Sequence, residues 1–170
     1  AKVLAADAIT CAYSYIGPAM TYPIYREGTI GRAKAHLEHT AHELNAWLQK
    51  SGGRAFISVN KALVTQSSAA IPVVPLYISL LFKVMKEKQL HEGCIEQIYR
   101  LFQQLPTVDS PLLRLDDWEM REDVQAEVNR RWQQVTTANL SELSDIAGYR
   151  HDFYQLFGFE CADVDYERDY

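Results

Sequence analysis

A chain of 170 residues, 48% hydrophobic and 23% charged, is long enough for a domain with a real core and has the composition of a globular protein. Its formal net charge of −5 is uneven: from Asp109 onward 15 acidic residues outnumber 6 basic ones, whereas the earlier part has 7 acidic and 11 basic. The absence of a dense basic patch interleaved with aromatics argues against nucleic acid, while the basic first part suits a small phosphate-bearing ligand.

No apolar run approaches a membrane span, because Pro72 and Pro75 interrupt the best candidate and Lys83 ends it. The start shows no basic leader followed by a cleavage site. Cys11, Cys94 and Cys161 are sparse, odd in number and not at metal or redox spacing. They read as reduced thiols of a cytoplasmic protein.

In chain order, residues 1–8 read as the end of a helix, and Ile9 to Ser14 as a strand of small and β-prone residues. Glu27-Gly28 punctuates the chain, with Thr29 a candidate N-cap. Ile30 to Lys50 reads as a long amphipathic helix carrying Ile30, Leu37, Ala41, Leu44 and Leu48 on its apolar face, stopped by Gly52-Gly53. Ala55 to Val59 is a short buried strand, so strand, helix and strand form the unit of a parallel sheet. Lys61 to Val74 is irregular and lies just past a strand's carboxyl end, where open α/β sheets place ligands. Apolar helices follow over Leu76–Lys88 and Glu92–Phe102, then a turn-rich stretch from Leu105 to Pro111. Met120 to Val135 is a charged helix burying Val124, Val128, Trp132 and Val135. The remainder consists of short helices broken at Gly148 and Gly158.

Tyr25 and Lys34 are the candidate catalytic pair, set against the plainer reading of one tyrosine among ten and a solvated helix lysine. A tyrosine with a lysine at fixed offset, the lysine on a helix, is the working pair of reductases that stabilise a developing oxyanion. Nine residues at 100° each place two side chains about 180° apart on one helix. Both can serve one site only if Tyr25 precedes the helix that holds Lys34, which the Glu27-Gly28 break permits. A nicotinamide-binding chain also needs a strand, a glycine-rich turn and a helix N-terminus for the pyrophosphate. No such turn is present, so either the chain does not bind a dinucleotide alone or it is the later part of a larger enzyme.

Tyr13-Ser14-Tyr15-Ile16-Gly17-Pro18, Tyr25 with Lys34, Leu63-Val64-Thr65-Gln66 and Pro75-Leu76-Tyr77-Ile78-Ser79 occur here in order, followed by Met85-Lys86-Glu87-Lys88 and Leu115-Asp116-Asp117-Trp118-Glu119. Together with Gly148-Tyr149-Arg150 and Phe157-Gly158-Phe159, they resemble FabV-type enoyl-acyl-carrier-protein reductases and trans-2-enoyl-CoA reductases over essentially the whole chain. The resemblance implies an α/β, Rossmann-like (short-chain-dehydrogenase-like) parallel sheet with extra helices, of which this chain is the mostly helical carboxyl-terminal portion. Residues 1–75 would complete the catalytic domain, and residues 76–170 would form the helical acyl-site and C-terminal region packed on it. The stretch from Phe102 to Arg114 is shorter than the family pattern.

The implied activity is NADH-dependent reduction of the trans-2 double bond of enoyl thioesters, carried on acyl-carrier protein or coenzyme A, in fatty-acid biosynthesis by a cytoplasmic, monomeric enzyme. The resemblance makes Tyr25 the proton donor and Lys34 the residue that binds the NAD ribose and favours the phenolate. Tyr15 would contact the substrate, and Leu63, Val64 and Thr65 would present backbone groups and a hydroxyl to the nicotinamide and phosphate. The missing amino-terminal portion of the enzyme would be a partner, and the chain alone would be inactive. Competing readings are an inert structural fragment or a carbonyl reductase using the same pair on a ketone. Tyr13 and Tyr22 compete with Tyr15 and Tyr25. Ile78, Leu81, Phe82 and Met85 would wall an acyl pocket or simply be core. His36, His39 and His42 fan over 120° of helix and read as solvated, not as metal ligands. Asp116, Asp117 and Glu119 read as an N-terminal cap for the following helix, and no residue requires the flavin that has been attached to the end of this family.

Overall fold

A computed structural model describes residues 4–168. They fall into two compact units that interleave in sequence: residues 4–62 with Glu92–Arg121, and Leu63–His91 with residues 122–168.

The first unit is built on a parallel sheet in the order β1 (Ile9–Ser14), β2 (Arg54–Val59), β3 (Leu112–Arg114). Every residue of β1 pairs with β2, from Ile9 with Arg54 to Ser14 with Val59. β2 is central and buried from Ala55 onward, as expected of a strand covered on both faces. Ile57, Val59, Ile16 and Ala41 form one apolar cluster. Phe56, Leu101, Leu105, Leu113 and Leu115 form another. β3 lies just beyond the turn-rich stretch and is too short to show a periodicity. It is fixed from outside, by Ile57 N–H donating to the Pro111 carbonyl (2.6 Å) and Leu115 N–H to the Val59 carbonyl (2.9 Å).

Residues 4–8 are not the helix end the sequence suggested, and residues 1–3 lie outside the described residues. Asp7 sits at φ 60° and donates its N–H to the Ser51 carbonyl, so tertiary contact overrides the local alanine-rich propensity. A short helix α1 (Tyr22–Tyr25) precedes the long α2 (Thr29–Leu48). Gly28 is the N-cap, and Thr29 is already helical. The buried face of α2 is rotated from the expected one: Ile30 and Leu44 are exposed and Asn45 is buried. Asn45 earns its place because its Oδ1 accepts the Ala55 N–H at 3.0 Å, satisfying the start of β2. α5 (Cys94–Gln104) completes this unit.

The second unit is helical: α3 (Gln66–Ala70), α4 (Val74–Glu87), α6 (Glu122–Gln134), α7 (Leu140–Leu143) and α8 (Ile146–Gln155). α4 is its core element, with Ile78, Leu80, Leu81, Phe82, Val84 and Met85 at most 1% exposed. A helix apolar on all sides is a buried helix, so Ile78, Leu81, Phe82 and Met85 are core. α6 buries Val124 and Val128, while Trp132 and Val135 are half-buried. Arg131 is nearly buried and bonds Glu127 at 2.7 Å, with Glu87 as a second carboxylate partner. Gly148 does not break a helix. It lies inside α8, its N–H donating to the N-cap carboxylate of Asp145 at 3.1 Å.

Candidate active site

The site assembles at the carboxyl ends of β1 and β2 within the first unit. Tyr25 closes α1, and Arg26 to Gly28 turn the chain into α2, six residues into which Lys34 points back toward Tyr25. The tight turn depends on Gly31. A Cβ there would lie 2.6 Å from Arg26 Cα and closer still to its carbonyl group, so only glycine lets the first turn of α2 press against the end of α1. Lys34 Nζ consequently stands 5.9 Å from the Tyr25 ring centroid and donates to Ser14 Oγ at 3.1 Å. The nine-residue offset is thereby closed by a change of element.

Tyr15 follows β1 directly. Its ring meets that of Tyr25 edge-on, centroids 4.8 Å apart at 85°, a favourable aromatic geometry. Its hydroxyl donates to Glu119 Oε1 at 3.0 Å. Gly17, at φ +72°, lets the chain pass beneath that phenol, where a Cβ would lie 2.6 Å from the Tyr15 hydroxyl. Tyr25 is 7% exposed, and among the described residues its hydroxyl has no hydrogen-bond partner. Tyr13 points away: it lies on the opposite face of β1 from Ser14 and is exposed with Ile9 along an apolar groove. Tyr22 sits on α1 with the Arg26 guanidinium 5.9 Å over its ring.

The electrostatics differ from the sequence expectation in one respect. Burial pushes the Tyr25 phenol above its ordinary pKa, and the negative Glu119 adds to that rise. That direction is opposite to the phenolate-favouring influence expected of Lys34. Burial in turn lowers the Lys34 ammonium, with Glu38 partly offsetting it. The pair is a buried phenol beside a half-buried lysine side chain.

Glu119 is the residue that sequence reasoning misjudged. The acidic run does not cap α6. Asp116 is held bidentate by Arg114 at 2.6 and 2.7 Å, and Asp117 accepts from Arg100 at 2.6 Å. Glu119, fully buried, accepts from Tyr15 and, through Oε2, from the Ala62 N–H at 2.6 Å. Partners 104 and 57 residues distant leave no local signature, which is why only the fold reveals the role.

Within the second unit, Thr65 caps α3. Its hydroxyl accepts the Ser68 N–H at 3.0 Å, and its own N–H donates to Ser68 Oγ at 2.9 Å. Leu63 accepts at its carbonyl from Ser68 Oγ at 3.2 Å. Val64 is buried, yet among the described residues neither its amide nor its carbonyl has a hydrogen-bond partner. His39 pairs with Glu43 at 3.3 Å in solvent, and no metal-competent group of His, Cys, Asp and Glu occurs among the described residues. Nor is any helix among them long and apolar enough to cross a membrane.

Residues 1–105 match the family described as the trans-2-enoyl-CoA reductase catalytic region, and residues 108–170 match the enoyl reductase FAD binding domain. An enoyl-[acyl-carrier-protein] reductase [NADH] of Coxiella burnetii is 61% identical over 97% of this chain and 43% of its own length. That of Flavobacterium johnsoniae is 59% identical over 99% and 44%. The solved trans-2-enoyl-CoA reductase of Clostridium acetobutulicum in complex with NADH superimposes with a TM-score of 0.93 at 51% identity, covering 99% of this chain and 44% of that one. The Treponema denticola enzyme in complex with NAD gives 0.89 at 51%. The chain thus spans less than half the length of the relatives it matches, and with its catalytic-region match covering more than half of its own residues it belongs to the trans-2-enoyl-CoA and enoyl-acyl-carrier-protein reductase family.

Proposed function

We propose that this chain supplies the proton-donating and nicotinamide-facing part of an NADH-dependent reductase of trans-2-enoyl thioesters, carried on acyl-carrier protein or coenzyme A, in fatty-acid biosynthesis. The observation that carries the reading is the convergence of Tyr25 and Lys34 at 5.9 Å beside Tyr15. The nicotinamide, when bound, supplies the hydride that the β carbon of the enoyl group receives. Negative charge then develops at the thioester oxygen, where the Tyr25 hydroxyl donates a hydrogen bond and its proton, and the enol so formed tautomerises to the saturated thioester as the α carbon gains a proton and the oxygen loses one. Burial, with Glu119 adding to it, raises that phenol above its ordinary value, and its hydroxyl is uncommitted. Tyr15 forms the wall beside it and orients the acyl thioester.

The residues fit the cofactor's sugar and amide. Lys34 has three ammonium donors, one of which goes to Ser14, leaving others for ribose hydroxyls. The Val64 amide and carbonyl suit a carboxamide edge, since buried backbone groups need partners. Leu63 and Thr65 shape that segment, although the Thr65 hydroxyl is committed to its cap, so its part is backbone placement. The pyrophosphate finds no glycine-rich turn in residues 1–170 and falls to the portion of the relatives that this chain does not span.

A flavin does not fit residues 108–170. The first turn of α6 carries Glu122 and Asp123, and the N-terminus of α8 already holds the Asp145 carboxylate. Arg114 and Arg130 are bound to Asp116 and Glu127. A diphosphate would meet carboxylates at both helix starts, and no step is assigned to a flavin.

The test is NADH oxidation with crotonyl-CoA. It compares the chain alone with a chimera in which residues 1–170 replace the matching portion of the Coxiella burnetii reductase. The chimera turns over and the chain alone does not. Tyr25→Phe lowers kcat about 10²- to 10³-fold in the chimera; full activity in that variant would remove Tyr25 as donor.

A further inference from the structure

We infer that Glu119 is the positioning residue of this site, holding Tyr15 in the orientation from which it presents the thioester to Tyr25. The inference rests on the reductase reading above and goes beyond it by adding a residue that acts through another.

Glu119 is 0% exposed, and a buried carboxylate persists only where hydrogen bonds offset its lost hydration. Here both oxygens are used: Oε1 by the Tyr15 hydroxyl and Oε2 by the Ala62 N–H. Ala62 is the residue immediately before Leu63-Val64-Thr65, so one carboxylate fixes a phenol after β1 and a backbone amide after β2. A network fixes Glu119 in its turn. Arg100 stacks 4.6 Å over Trp118, bonds Asp117 at 2.6 Å and Glu92 at 2.8 Å, while Gln97 accepts the Lys61 N–H at 3.1 Å and donates to the Leu115 carbonyl at 3.2 Å. The turn from Leu115 to Glu119 is thus held from both sides.

With its hydroxyl anchored, the Tyr15 ring is locked against Tyr25 at 85°. Loss of the anchor removes the hydroxyl bond that sets the Tyr15 ring against Tyr25. The charge of Glu119 also adds to the upward shift of the Tyr25 phenol, which keeps the donor loaded.

A double-mutant cycle in the chimera tests this. Glu119→Ala should lower kcat/KM for crotonyl-CoA about 30-fold, a larger change than in the Kd of NADH, read by fluorescence titration, which reports the loss of the bond to the Ala62 N–H. In a Tyr15→Phe background the same substitution should cost several-fold less, because the Tyr15 hydroxyl is already gone and only the bond to the Ala62 N–H is left to lose. Glu119→Gln fills the same space and bonds both partners with its amide turned toward Tyr15, so it should retain at least about a third of kcat/KM. Equal losses with and without the Tyr15 hydroxyl would overturn the inference, as would a Gln variant as impaired as Ala. If Glu119→Ala fails to fold, the volume-filling Glu119→Met carries the cycle, and the Gln result still decides. A chimera that does not oxidise NADH with crotonyl-CoA refutes the reductase reading, and an unimpaired Tyr25→Phe removes only Tyr25 as donor; an additive cycle beside an inactive Tyr25→Phe refutes only the role of Glu119.

Discussion

Gly31→Ala tests how the site is built, because two effects of known size oppose each other there. Replacing a helical glycine by alanine normally stabilises by about 1 kcal/mol. At Gly31, however, the new Cβ would lie 2.6 Å from Arg26 Cα and nearer to the Arg26 carbonyl. Ordinary contact requires roughly 3.4 Å, so the end of α1 must retreat by about 1 Å from α2. Inserting a methyl group into a packed region typically costs about 1–3 kcal/mol, and a backbone neighbour cannot rotate away, which places this case at the upper end. The net expectation is a loss of about 2 kcal/mol. Arg26 follows Tyr25 directly, so the same displacement separates the Tyr25 phenol from Lys34. A misplacement of about 1 Å at a reacting group costs on the order of 10²-fold in rate. Urea unfolding and crotonyl-CoA kinetics in the chimera read the two effects. A variant about 1 kcal/mol more stable, with unchanged kcat, would show that the α1–α2 contact does not set the pair's geometry.

Lys34→Met should raise the KM for NADH roughly 10- to 100-fold, the value of charge-assisted hydrogen bonds, with a smaller change for crotonyl-CoA; steady-state kinetics on both substrates will show which moves. Asn45→Ala leaves the buried Ala55 N–H without its acceptor and should destabilise by about 1–3 kcal/mol in urea unfolding, without a change in the NADH Kd. The hydrogen bond from Arg130, joined by that from Arg131, holds the Glu127 carboxyl at about 2, below its ordinary 4.5. A carboxyl depressed on folding contributes stability that is complete above about pH 4.5 and lost as pH falls toward about 2. Glu127→Gln should therefore cost under about 1 kcal/mol at neutral pH, given the partial exposure of the pair. The difference from the parent should vanish by about pH 2 in acid-unfolding curves.

Local periodicity made the main elements readable. β1, α2 and β2 follow from apolar spacing and from the glycines that bound them, and their parallel pairing follows from the helix between. The pairing of Tyr25 with Lys34 was legible because Glu27-Gly28 forces a change of element between them. What escaped depends on contacts without local trace. β3 is three residues long and exists through pairing with β2. Asn45 interrupts the apolar face of α2 because a strand amide needs it. The acidic run after β3 resembles a helix cap in composition, whereas each carboxylate is claimed by a residue brought near by the fold. Gly148 looked like a breaker because glycine lowers helix propensity, yet the Asp145 cap stabilises the turn containing it.

The bond between Tyr15 and Glu119 closes a loop of 104 residues, whereas Tyr25 and Lys34 are near neighbours along the chain. Loop-closure entropy rises with the logarithm of length, so the distant contact costs about 2 kcal/mol more to form than the local one. During folding, the tyrosine–lysine corner should take shape early and the carboxylate clasp arrive among the last events, after all three strands have docked. Ligand-binding competence would then be acquired at the end of folding, not in step with secondary structure.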